Sequence, residues 1–304
     1  MRVASGDGAA EPTPVSQSLP DQSLSDQSPG TLARTWRTIG RDARGVRDVA
    51  TIRLDPTYRR LAAGYVLPEG FQRVYCHHIR KTAGTSLFLS FLALGGEDPM
   101  DVWRRINSAR LPRTVSGRYG FASVHRKLLA EGAYLFARAH RPVVEQPLPR
   151  NTLTVTVLRD PVARAHSYFD YLVAGDTPDA PGRVAERERR LAYDGFDAFL
   201  DQVPDRHLLC QLQTFSTSLD VAEAVDRVAA CSSVFFTESY AQGLAGLGAR
   251  LELPLTVHRA RVTGTRSVLT ESQEDRLRSM LAPEYELLSR LAAGGISGPP
   301  SNAQ

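Results

Sequence analysis

An α/β fold, with a mostly parallel central sheet flanked by helices, is predicted for this chain from three observations. Short apolar or β-branched runs alternate with stretches of helical spacing through residues 71–293, the pattern of strands joined by right-handed helical crossovers. Two of the runs end in abrupt polar turns, His78-Ile79-Arg80-Lys81-Thr82-Ala83-Gly84-Thr85-Ser86 and Arg159-Asp160-Pro161, each followed by a helical pattern. The chain of 304 residues, with 42% hydrophobic content, is also long enough to bury a sizeable core.

Residues 1–30 are rich in Ser, Pro, Gln, Asp and Gly with scarcely any large apolar side chain, so burial cannot offset the entropy of ordering and a disordered tail is expected. Residues 31–70 read as a basic amphipathic helical extension. There Leu32, Trp36, Ile39, Val46, Val49 and Ile52 are interleaved with eight arginines up to Arg60, a pattern suited to packing on a domain flank or to peripheral contact with an anionic membrane. The first strand lies within Phe71 to Ile79, and Leu87, Phe88, Phe91, Leu92 and Leu94 repeat at helical spacing after the small-residue turn. Ala133 to His140 reads as a buried strand, and Thr152 to Leu158 as another by its β-branched content. Asp160 suits an N-cap and Pro161 the first helical position, so a helix to about Leu172 is predicted, with Gly175 past its end. Residues 174–195 read as a long loop holding a short exposed helix. Phe196 to Leu212 reads as helical with a break at Pro204. Asp220 and Glu223 stand in capping-box relation at the start of a further helix, and Ser233 to Thr237 forms the fourth predicted strand. Helices are predicted from Tyr240 to Leu251 and after Thr270, the last interrupted by Pro283, and residues 294–304 are expected to be a disordered tail.

A net charge of +4 is mild for this length, so a strongly electrostatic nucleic-acid binder is not indicated, while an anionic ligand is readily accommodated. Cys76, Cys210 and Cys231 are odd in number and lack CxxC spacing, which supports neither a disulfide framework nor a zinc site. The N-terminus lacks the apolar stretch of a signal peptide and no run approaches the ~20 apolar residues that span a bilayer, so a cytoplasmic protein without a transmembrane segment is expected. Lysine occurs only at Lys81 and Lys127, arginine being the default cation, and a Lys kept against that bias suggests a need for a compact ammonium.

Ligands of open α/β sheets bind beyond the carboxyl ends of the strands. Lys81, His140, Arg159 and Glu238 lie at or just past the ends of the four predicted strands and are therefore expected on one rim. The small residues after Lys81 let successive backbone amides face one anion at a helix N-terminus, where the dipole favours negative charge. The turn is not a Walker A sequence, because Tyr75 and Arg80 stand where its glycines belong, and no clear Walker B acid is present. A conventional nucleotide-dependent kinase or NTPase is disfavoured on that ground, and a non-catalytic nucleotide-binding relative is the other alternative.

The run His78 to Ser86 resembles the 5′-phosphosulfate loop of the sulfotransferase family that includes heparan sulfate 2-O-sulfotransferase and many bacterial relatives. Leu158-Arg159-Asp160-Pro161-Val162-Ala163-Arg164-Ala165-His166-Ser167-Tyr168-Phe169 is similar to that family's 3′-phosphate motif, in the expected order and at about the expected distance. Weaker similarity runs through Gln211 to Thr214, Phe236 to Leu247 and Leu269 to Ala292. Arg80 departs from the family, which usually has Pro there.

The resemblance implies a P-loop-NTPase-like sulfotransferase fold over residues 71–293. It also implies 3′-phosphoadenosine 5′-phosphosulfate as cosubstrate, direct in-line transfer with no metal, and a small-molecule or glycan acceptor, with a carbohydrate or glycoconjugate hydroxyl favoured. On this reading Arg80, Lys81, Thr82, Ala83, Gly84, Thr85 and Ser86 bind the 5′-phosphosulfate. Arg159 and Ser167 bind the 3′-phosphate, and Arg266, in a basic loop with Arg261 and Thr263, closes over the nucleotide. Lys81 would neutralise charge on the bridging oxygen as the sulfur–oxygen bond breaks. His140 is the candidate base, with His77, His78, His125 and His166 competing for that part. Glu238 reads as a second base or, more simply, as a hydrogen-bonding acid that orients a loop.

Overall fold

The computed structural model describes residues 56–108, 113–123, 126–174, 186–258 and 267–296. The proposed tail at 1–30, most of the basic extension, His125, the loop after Ala174, the segment with Arg261, Thr263 and Arg266, and the last eight residues lie outside them. Of the extension, Pro56–Ala62 forms a helix, α1.

Among the described residues six strands make one sheet: β1 (Arg73–His77), β2 (Arg113–Ser116), β3 (Tyr119–Ser123), β4 (Phe136–Ala139), β5 (Thr152–Leu158) and β6 (Ser233–Phe236). Their spatial order is β2-β3-β4-β1-β5-β6. All neighbours are parallel except β2 and β3, a hairpin whose turn holds Gly117 at φ 54°. The central strands β1 and β4 are buried along their whole length, Arg73, His77 and Arg138 included.

Helices cover both faces. On one, α2 (Gly84–Leu92) and α3 (Pro99–Ser108) pack on Val74, Cys76, Val155 and Val157. The sheet's opposite face meets a longer helical run: α4 (Arg126–Glu131), α5 (Pro161–Ala174), α6 (Glu186–Arg189), α7 (Gly195–Gln202), α8 (Asp205–Leu208), α9 (Cys210–Phe215) and α10 (Val221–Ala229) precede β6. After β6, α11 (Tyr240–Leu251) joins the first face, while α12 (Glu271–Met280) and α13 (Ala282–Ala293) join the second. None of the helices among the described residues is long and apolar enough to cross a membrane.

Two sequence expectations are refined, and the segment between α3 and α4, to which the sequence pattern assigns no element, contains the β2–β3 hairpin. The stretch expected to be one helix with a break at Pro204 is three short helices, since Leu209 (φ −96°, ψ 40°) ends a second turn after Pro204 has ended the first. Leu281 (φ −94°, ψ 6°) likewise separates α12 from α13, leaving Pro283 in the first turn of α13, where its missing N–H costs nothing.

The sheet order positions the site. From β1 the chain runs to the β2–β3 edge, returns to β4 on one flank of β1, and crosses to β5 on the other. Connections leaving β1 and β5 therefore diverge, the arrangement that opens a crevice at the carboxyl ends of adjacent strands.

His77 closes β1 with its ring buried edge-on to Tyr75, centroids 5.0 Å apart, and 5.9 Å from Phe215. Burial pushes its pKa down to about 4, against ~6.5 in the unfolded chain. Between those values the unfolded chain binds the extra proton, so stability falls as pH falls through that window. Replacing His77 with Phe should flatten the dependence by about 3 kcal/mol between pH 7 and 4. Urea unfolding of both proteins across this range checks it, and identical slopes would count against it.

Candidate functional site

The first loop leaves β1 at His78 and enters α2 through two residues in left-handed conformation, Lys81 (φ 69°) and Ala83 (φ 59°). Neither is glycine, and each such residue costs roughly 1–3 kcal/mol, a strain typical of ligand clamps. Alternation of left-handed residues can turn successive amides toward one side, the backbone geometry used by anion-binding nests. Ala83 caps α2 without any side-chain hydrogen bond, so no side chain competes at the N-cap for the first amides of this buried helix. Thr82, buried, donates its hydroxyl proton to the Ile79 carbonyl at 3.1 Å, which braces the turn and leaves its amide as the group it offers outward. Gly84 is required for close approach: a Cβ there would lie 1.9 Å from Cδ2 of the His78 ring.

The second loop leaves β5 at Arg159. Asp160 accepts the Ala163 amide at 2.7 Å and the Tyr285 hydroxyl at 3.0 Å, so it caps α5. Its own amide donates to Glu238 Oε1 at 3.0 Å, which gives Glu238 the loop-orienting part. The two loops meet directly, because Arg159 Nη1 donates to the Lys81 carbonyl at 3.0 Å. Lys81 Nζ lies 4.7 Å from the centre of the Tyr171 ring on α5, so the helix that follows Arg159 also seats the lysine. Ser167 stands half-buried on α5, two turns beyond Arg159. The Arg80 guanidinium pairs with Glu188 of α6 at 2.9 Å.

On the other flank of β1, the register that pairs His77 with Ala139 brings His78 beside His140. Their rings are 4.0 Å apart, centroid to centroid, at 31°. His140 is exposed, and its Nδ1 is 2.7 Å from the His78 carbonyl oxygen. A carbonyl can only accept, so Nδ1 carries the proton and the neutral ring has its lone pair on Nε2, the form a general base needs. Of the competing histidines, His77 is buried in the core, and His166 Nε2 is 2.7 Å from Ser267 Oγ, which donates to Asp170 at 2.6 Å.

Sequence reasoning did not identify Arg138, Gln211 or Glu284. Arg138, nearly buried on β4, reaches Gly84 O, Thr85 Oγ1 and His78 Nδ1 through one nitrogen, at 3.1, 3.3 and 3.4 Å. Gln211 brackets the Arg159 backbone, accepting its amide at 2.9 Å and donating to its carbonyl at 3.0 Å. Glu284, fully buried, accepts from the Gln211 amide at 2.7 Å and from its side chain at 3.0 Å, and pairs with the equally buried Arg164 at 3.6 Å. A chain of polar contacts thus runs from α13 through α9 to Arg159. Compared with protein-family models and with curated proteins, the sequence matches none.

Proposed function

We propose that this protein is a sulfotransferase that moves a sulfuryl group from 3′-phosphoadenosine 5′-phosphosulfate to an acceptor hydroxyl of a small molecule or glycan, on a P-loop-like sulfotransferase fold. The observation that carries the reading is the hydrogen bond from Arg159 to the Lys81 carbonyl, which joins two anion-adapted loops at the carboxyl ends of neighbouring parallel strands. One loop alone would suit any phosphate. Two in contact suit a nucleotide with phosphates at separate positions.

On this reading the amides of Thr82 to Ser86 hold the 5′-phosphate and Arg159 with Ser167 the 3′-phosphate. Arg159 donates to Lys81 O and so ties the loops together, and a guanidinium is the side chain best suited to grip a phosphate. Lys81 places its ammonium at the bridging oxygen, where negative charge grows as the sulfur–oxygen bond breaks. His140 takes the acceptor's proton on Nε2 while the acceptor oxygen forms the new bond to sulfur, leaving adenosine 3′,5′-bisphosphate and a sulfate ester. Nothing in these steps asks for a divalent ion.

The test is transfer of label from the donor into extracts of the native host with a chelator present, followed by mass spectrometry of the product. Labelled ester formed under chelation is the expected result. Magnesium-dependent ATP turnover in its place would overturn the reading in favour of phosphoryl transfer.

A further inference from the structure

We infer that Arg138 is a positioning residue for this rim: it sets the tautomer of His78 and the direction of the Thr85 hydroxyl proton, and so prepares the histidine pair and the anion loop together. A guanidinium has donors only. Gly84 O, Thr85 Oγ1 and His78 Nδ1, all within 3.4 Å of its Nη1, share that nitrogen's two N–H groups and so meet it with lone pairs. For His78 this puts the ring proton on Nε2, and a second proton on Nδ1 would be forced against a positive charge. For Thr85, in the first turn of α2, it turns the hydroxyl proton away from Arg138, so the hydroxyl donates elsewhere.

His140 has the opposite tautomer, because its Nδ1–H is given to the His78 carbonyl. The two adjacent, mutually tilted rings are thus fixed in complementary forms, one by a side chain of β4 and one by the backbone leaving β1. Arg138 lies on β4 and His140 just past its end, and both meet His78, Arg138 at the ring Nδ1 and His140 at the carbonyl. Its guanidinium carbon lies 4.4 Å from the centre of the Phe88 ring of α2, which keeps the group in register with that helix. The same cation therefore spans the end of β4, the loop and the first turns of α2. The tautomers stand apart from the proposed function, but their consequence for ligand binding rests on it.

The test uses the full chain labelled with 15N-histidine, with the signals of the seven histidines assigned by single substitutions. Wild-type protein should show His78 protonated on Nε2 and His140 on Nδ1. In Arg138→Met, His78 should lose that preference while His140 keeps its own, and affinity for adenosine 3′,5′-bisphosphate should fall roughly threefold to tenfold. Arg138→Lys should restore the His78 signature in part. A proton on Nδ1 of His78 in the wild type overturns the inference even if Arg138→Met does not fold, and so does an unchanged His78 signature in a folded Arg138→Met. Absence of bisphosphate binding with both tautomers as stated would overturn the proposed function and leave the Arg138 assignment standing.

Discussion

Glu284→Leu is expected to cost about 3–5 kcal/mol of unfolding free energy, a large share of a domain's total stability. The side chain is fully buried, and its removal leaves the Arg164 guanidinium without its carboxylate in a site that excludes water. It also deprives the Gln211 backbone amide of its acceptor and leaves the side chain only the Arg159 carbonyl. The double variant Arg164→Leu/Glu284→Leu should recover much of that loss, because replacing both buried charges by apolar groups is often neutral or better. Recovery of fold should not bring recovery of binding, since Gln211 still lacks the partner that holds it against Arg159. Urea denaturation with nucleotide titration of the single and double variants separates the two effects. A single variant within 1 kcal/mol of wild type would contradict the first, and full affinity in the double variant the second.

On the proposed sulfotransferase reading, Lys81→Ala should lower turnover by about 10²–10³, the range seen when one preorganised group facing transition-state charge is removed. Binding should weaken as well, through loss of the ammonium and of its seat on Tyr171. Lys81→Arg is the sharper variant. A planar fork cannot reproduce a compact ammonium aimed at a single oxygen, so the charge is kept and the chemistry is not. Steady-state rates at saturating donor should therefore stay low in Lys81→Arg while its affinity for the bisphosphate product remains near wild type. Wild-type turnover in Lys81→Arg would remove the leaving-group role from this residue.

How much of this was legible in the chain follows from the range of each signal. The central strands and the cap at Asp160-Pro161 are local features, carried by residues within four positions of one another, and they are found where the spacing places them. Parallel pairing then brings the ends of β1, β4, β5 and β6 to one rim with no further information. The β2–β3 hairpin was obscured because its strands are short and β2 is mostly half-buried, so its apolar pattern is weak. Arg138 looked like a lone charge within an apolar run, since the groups that give it meaning lie 53 to 60 residues away. Gln211 and Glu284 were hidden for the same reason, their partners being 52 and 73 residues distant. Arg80 reads from its position as a phosphate ligand, yet its guanidinium is engaged by Glu188, 108 residues on. Nothing in the local sequence announces that pair.

The central claim is that the loops at Lys81 and Arg159 form one site for a nucleotide phosphorylated at both its 3′ and 5′ positions. Calorimetric titration of the protein, without divalent ions, with adenosine 3′,5′-bisphosphate and separately with adenosine 5′-monophosphate tests it most directly. Saturable binding of the bisphosphate is predicted, at least tenfold tighter than the monophosphate, with Arg159→Ala removing most of that difference, as expected for the loss of a charge-assisted contact worth about 1.5–3 kcal/mol. Equal affinity for the two nucleotides, or a preference that survives in Arg159→Ala, would contradict it.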